Sequence, residues 1–184
     1  MTSKVTDFVG EDKSKVSPGK YRSKLRLLLI VTALVVILDQ LSKLWIATNR
    51  PPTHLELLPG FINLVFVKNY GAIFGLLSGH TELHIALSVA GSVIILVFLH
   101  YHPPTTTLGT LSLALILGGG VGNLIDRIRR GGYVIDFISF QLFRWPAFNI
   151  ADAALTVGLF ALIYYFYKSR VFRKAHERHL KPQN

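Results

Sequence analysis

The sequence predicts an all-α polytopic membrane protein with four transmembrane helices and a small extracytoplasmic β element. Three observations predict it. Four apolar stretches, near residues 25–46, 83–101, 108–128 and 151–167, each come close to the ~20 residues that cross a bilayer as a helix. Only 16% of the 184 residues are charged, well below the ~25% of a soluble domain. The Lys and Arg residues crowd the two ends of the chain rather than spreading over a surface.

Residues 1–24 are polar and carry Lys4, Lys13, Lys15, Lys20, Arg22 and Lys24. They read as a basic disordered cytoplasmic arm. The basic region is too long for a signal peptide, and no small-x-small cleavage site follows the apolar run. The first span covers about 25–46. Asp39 and Lys43 interrupt its far end at i, i+4, so they share a face and can pair. Such a pair can be structural, tuning helix packing.

Residues 49–79 do not form a span. Arg50-Pro51-Pro52 ends the first helix, and PGFINLVFVKN (59–69) has the β-branched and aromatic content of a short strand or two. NYGAIFG (69–75) follows. The second span, 83–101, ends at His102-Pro103-Pro104. The third, 108–128, contains GGGVGN (118–123). This is no phosphate-binding loop, because Lys-Ser/Thr does not follow and no strand precedes it. Gly118 and Gly122 instead predict close helix packing. The fourth span, 151–167, ends in Tyr164, Tyr165 and Tyr167, then a basic tail over 169–184. The spans and their connections, 25–168, form one domain.

Four spans put both termini on one side. Seven Lys/Arg precede the first span through Arg26, six lie from Lys168 onward, and two lie in the 49–82 loop. The positive-inside rule then places both termini in the cytoplasm. Asp39, Asp126, Asp136 and Asp152 fall at the outer end of the bundle, with Asn69, Asn123 and Asn149. The net charge of +10 belongs to these flanks, so no nucleic acid is expected.

The chain has no cysteine, which excludes thiolate chemistry. His80, Glu82 and His84 form HTELH rather than H-E-x-x-H, with no third ligand nearby, so no metal is expected. Ser139 lacks any nucleophile motif and any outer-face base. Asp126 can pair with Arg127 or another basic group, and Arg127 can meet a lipid phosphate or a carbonyl. Asp136, in YVIDFISF, and Asp152, opening a helix in FNIADAA, remain. Brought together, two carboxylates share one proton, so that the ionised one can take a proton from water while the protonated one polarises a scissile carbonyl. Kept apart, they are cap or ion-pair residues.

DQLSK (39–43), NYGAIFG (69–75), GGGVGNLIDR (118–127), GYVIDF (132–137) and FNIADAALTVG (148–158) occur in one order. In these motifs the chain resembles the lipoprotein signal peptidases (signal peptidase II), over about residues 25–168. The resemblance implies an intramembrane aspartyl endopeptidase with Asp136 and Asp152 as the catalytic dyad. Asn69, Gly71, Asn123, Arg127 and Asn149 would line or shape the substrate site. Asp126 would support structure or ligand contacts, and Asp39 and Lys43 would support the site from the first helix. The substrate would be a prolipoprotein whose lipobox cysteine carries diacylglycerol, cut just before that cysteine. No metal or organic cofactor is expected. The partners implied are that substrate and membrane lipids, the protein is expected to be a monomer, and the location is the bacterial inner membrane with the active site at its outer face. Ile73 and Ala153 depart from the residues frequent in the family, alanine and serine.

The rival reading is a proton-coupled carrier using intramembrane carboxylates. It predicts acidic residues spread through bilayer depth, whereas these cluster at one end, and no inverted repeat is visible. A non-catalytic assembly protein held by glycine packing is a second rival.

Overall fold

The computed structural model describes residues 18–50, 55–71, 81–101, 106–142 and 145–180. Residues 1–17 of the expected arm over 1–24 lie outside these residues, as do Ile73 and His80. The elements run α1 (Pro18–Asn49), β1 (Leu55–Leu58), β2 (Ile62–Asn69), α2 (Thr81–Tyr101), α3 (Thr107–Arg129), β3 (Val134–Phe140) and α4 (Ile150–Leu180). All four helices are long and apolar enough to cross a membrane.

The helix ends differ from the apolar limits for local reasons. Helix α1 starts at Pro18 rather than Leu25, so residues 18–24 are helical. Proline suits the first helical position, where its missing N–H costs nothing. Helix α4 continues past Tyr167 because Lys168–Leu180 contains no glycine or proline to stop it. Helix α3 is capped by Thr106, whose Oγ1 accepts the Gly109 N–H at 3.1 Å.

Helix α3 is the axis of the bundle. In its most apolar stretch 56% of residues are buried, against at most 22% in the other three helices. Its glycines set the closeness of the neighbours. A Cβ on Gly118 would lie 2.8 Å from Val35 Cβ of α1, and one on Gly122 would lie 2.7 Å from Asp39 Oδ2. Gly119 abuts Ala151 and Leu155 of α4. The small residues therefore let α1 and α4 close on α3, as glycine pairs do in membrane helices. Leu28, Leu113, Ala114 and Leu117 form an apolar cluster away from the polar end. At the end opposite the polar one, the Lys24 Nζ donates to Thr107 Oγ1 at 2.6 Å, joining the starts of α1 and α3.

The strands form one antiparallel sheet in the order β1-β2-β3. Strand β2 includes most of the expected 59–69 stretch. It pairs Asn69 with Val134 and Val67 with Asp136, with an irregularity between Leu64 and Val67. Glycines at φ +68° (Gly131) and +103° (Gly132) turn the chain from α3 into β3. Ile135 and Phe137 pack with Ile46 of α1 in a second apolar cluster. Asp136 lies between them in the strand and points to the other face.

Candidate active site

Helix α4 begins at Ile150, which makes Asn149 its N-cap and Asp152 the third helical residue. The two cap each other. Asn149 Oδ1 accepts the Asp152 N–H at 2.9 Å, and Asp152 Oδ2 accepts the Asn149 N–H at 3.2 Å. This is a capping box built from Asn and Asp. It leaves the Asn149 amide NH₂ free to donate elsewhere. It donates to Asp136 Oδ1 at 2.6 Å, with the Ile135 carbonyl at 3.3 Å and Asn123 Oδ1 at 3.2 Å also within reach.

Asp136 takes a second donor from the sheet, the Asn69 Nδ2 at 2.8 Å. Asn69 Oδ1 in turn accepts the Gly71 N–H at 2.9 Å. Asp152 Oδ1 accepts the Asn123 Nδ2 at 2.7 Å. Each carboxyl thus receives one side-chain amide from a neighbouring element, and Asn149 touches both. Burial and the nearby Asp152 push the Asp136 carboxyl from 3.8 up to about 7, despite the amides of Asn69 and Asn149, which favour its charged form.

Lys43 lies beneath this pair and is fully buried. Its Nζ meets Asp39 Oδ2 at 2.8 Å, Asp126 Oδ2 at 3.4 Å and Asn123 Oδ1 at 2.9 Å. The expected i, i+4 pair is present, and it is the centre of a larger network. Three oxygen acceptors around one cation fit the rule that buried charges are paired and hydrogen-bonded.

The alternative pairing of Asp126 with Arg127 does not occur. Asp126 pairs with Lys43 and with Arg130, whose Nε lies 3.1 Å from Asp126 Oδ1. The reason is helical: i, i+1 side chains diverge, whereas i, i+4 side chains share a face. Arg127 points instead toward the loop after β2, with Nη2 3.4 Å from the Gly71 carbonyl. Its buried Nε has no hydrogen-bond partner among the described residues.

All ten residues singled out in the sequence, Asp39, Lys43, Asn69, Gly71, Asn123, Asp126, Arg127, Asp136, Asn149 and Asp152, join one network at one end of the bundle. Two further side chains were missed. Gln40 Nε2 lies near Asp39 Oδ2 (3.1 Å), the Gly122 carbonyl (3.1 Å) and Asp126 Oδ1 (3.3 Å). Arg130 holds Asp126 from below. The i, i+4 spacing from Asp126 could have found Arg130; nothing local distinguishes Gln40.

Four apolar helices enclosing a buried acid cluster, roofed by a small sheet, define a polytopic membrane protein with an enzyme-like site. Known proteins make the class specific. The signal peptidase (SPase) II family model matches residues 31–168. A lipoprotein signal peptidase of Moorella thermoacetica is 45% identical over 135 residues, 73% of this chain and 88% of that protein. One of Syntrophotalea carbinolica is 38% identical over 148 residues, 77% of this chain and 91% of its own. A bacterial membrane enzyme solved by the in meso method at 2.3 Å resolution superposes with a TM-score of 0.74 at 28% identity, covering 86% of this chain and 93% of that one. The chain belongs to the signal peptidase II family. It is a multi-pass bacterial membrane peptidase that processes signal peptides.

Proposed function

We propose that this protein is an aspartyl endopeptidase that removes the signal peptide from prolipoproteins whose lipobox cysteine already carries diacylglycerol, cutting just before that cysteine. The single observation that carries the reading is the junction at Asn149, which holds Asp136 and Asp152 at one site. The family match supplies the substrate class, since the named relatives are lipoprotein signal peptidases.

The pair shares one proton. The ionised carboxyl takes a proton from a water molecule as the water oxygen attacks the scissile carbonyl. The protonated carboxyl gives its proton to the carbonyl oxygen, producing a neutral gem-diol. Collapse breaks the C–N bond. The proton taken from water passes to the leaving amine of the cysteine, and the diol proton returns to the dyad, restoring its single proton. The roughly neutral proton affinity of Asp136 suits an acid that works near pH 7. Asn69 and Asn149 orient Asp136, and Asn123 and the Asn149 N–H orient Asp152. Arg127, with its unpartnered Nε, is placed to hold a substrate carbonyl near Gly71. No metal or organic cofactor takes part.

The substrate's acyl chains remain in the bilayer, so it enters sideways between helices. The charge bias of the ends puts both termini in the cytoplasm and the dyad at the outer face of the inner membrane. The enzyme acts as a monomer.

The test is cleavage of a purified diacylglyceryl prolipoprotein in detergent with chelator present. Folded Asp136→Asn and Asp152→Asn are expected to lose essentially all turnover, and Asp126→Asn to keep some. Near wild-type turnover in the first two would end the aspartyl mechanism. An outward-facing reporter fused to the C-terminus would overturn the topology.

A further inference from the structure

The peptide N–H immediately before each dyad aspartate is held by a buried carboxylate. Asp39 Oδ1 accepts the N–H of Ala151, the residue before Asp152, at 3.0 Å. Asp126 Oδ2 accepts the N–H of Ile135, the residue before Asp136, at 3.1 Å. Asp39 sits on α1 and Asp126 on α3, yet both meet the same cation, Lys43 Nζ, at 2.8 and 3.4 Å. All three side chains are at most 1% exposed.

We infer that Lys43, Asp39 and Asp126 form a clamp that sets the spacing of the dyad, with Lys43 as the positioning residue at its centre. This rests on Asp136 and Asp152 being the catalytic pair.

The two aspartates come from unlike elements, a strand and a helix start. The Ile138–Phe148 bridge and the Asn149 amide on Asp136 join these two elements directly, and the clamp adds anchors from α1 and α3. Each gripped N–H lies one residue before the side chain to be placed, with a planar peptide unit leading on to that aspartate. Gripping it restrains the backbone that leads to the catalytic carboxyl. Alongside the glycine packing and the Gln40 contacts between α1 and α3, the shared ammonium ties the two grips to each other. The same Nζ donates to Asn123 Oδ1 at 2.9 Å, which turns the Asn123 NH₂ toward Asp152. Gln40 and Arg130 hold the outer oxygens, so each clamp carboxylate keeps its N–H grip with a second lone pair occupied. A site of this kind loses rate when its groups move by fractions of an ångström.

Dyad spacing has a readout that mere stability does not move. Two carboxylates that repel titrate in two steps, and the gap between the steps shrinks as the carboxylates separate. In the pH–rate profile, that gap is the distance between the acidic and basic limbs. Among the described residues, the charged groups facing the dyad are Lys43 and Asp39 from α1 and Arg127 from α3, besides the dyad itself. Removing one of these charges displaces both limbs in the same direction, whereas a change in spacing alters the distance between them.

The experiment measures kcat, KM and the full pH–rate profile for wild type, Lys43→Met, Lys43→Arg, Asp39→Asn and Asp126→Asn in detergent. Leu28→Ala, in the apolar cluster at the far end, serves as a stability control. The clamp predicts that kcat falls ~10–100-fold in Lys43→Met while KM changes little, that the limbs converge, and that Lys43→Arg recovers part of both. The two amide variants, which keep the N–H acceptor but lose the ion pair, are expected to converge by less. Should Lys43→Met fail to fold, the near-isosteric amide variants carry the test. Unchanged limb separation in folded Asp39→Asn and Asp126→Asn overturns the clamp. So does equal convergence in Leu28→Ala, which would signal general loosening. Full activity of Asp136→Asn would instead remove the dyad itself, an outcome distinct from these.

Discussion

Asn149 and Asp152 cap each other at the start of α4, and the same Asn149 donates its amide to Asp136 at 2.6 Å. One residue therefore starts the helix and joins the two carboxyls. The helix start and the proposed chemistry meet at this position, and they can be separated by measurement.

Asn149→Ala is expected to lose both roles. The missing cap destabilises the fold by about 1 kcal/mol, up to roughly 2. Turnover falls much further, roughly 100-fold, because Asp136 loses its orienting donor. Asn149→Ser restores an N-cap acceptor but cannot donate an amide to Asp136. It is expected to recover the melting temperature and not the rate. Recovery of both would assign Asn149 to capping alone.

Turnover is expected to fall as pH rises through about 7, where Asp136 gives up its proton. Stability follows the same group. In the unfolded chain this carboxyl ionises near 3.8, and in the folded protein near 7. Between those values the folded state binds more protons, so its stability declines as pH rises across that window and levels off above it. Melting temperatures at pH 5 and pH 8 check this. Wild type should be the more stable at pH 5, and Asp136→Asn should lose most of the difference.

Asn69→Ala removes a donor that favours the charged form of Asp136. The proton is then held more tightly, and the basic limb of the pH–rate profile moves above about 7. A limb that stays put or moves down would remove Asn69 from the site's electrostatics.

The glycines of α3 give a paired comparison. A Cβ on Gly119 would collide with the Ala151 carbonyl and come within 2.8 Å of Leu155 Cγ. Gly119→Ala must push back the start of α4, which carries Asp152. A destabilisation of about 1–3 kcal/mol and a loss of turnover are expected. A Cβ on Gly120 meets only Ser92 Oγ, at 3.8 Å. Gly120→Ala should be neutral or stabilising, because alanine is the better helix former. Thermal melts and initial rates of both variants check the contrast.

Much of the fold was legible because membranes impose simple rules. A bilayer asks for ~20 apolar residues, and four runs supplied them. The Asp39–Lys43 pair was legible because i, i+4 geometry is local. The Gly118 and Gly122 face was legible for the same reason. The strand content of 59–69 showed in its β-branched residues, but its partner did not. Strand β2 pairs with β3 across the whole of α2 and α3, and no local pattern encodes that register.

Four spans, a set of acids and amides gathered toward one end, and candidate residues for the proposed chemistry can be read from the chain alone. Who holds whom follows from how the elements pack. Asp126 could have paired with any nearby base, and it pairs with Lys43 and Arg130. Asn69 could have capped a turn alone, and it also reaches Asp136 in another strand. The physical reason is that spacing along a helix fixes a direction in space, whereas spacing between elements fixes none. The glycine-lined approach of α1 and α4 to α3, and the closure of the sheet over their ends, supply the missing distances.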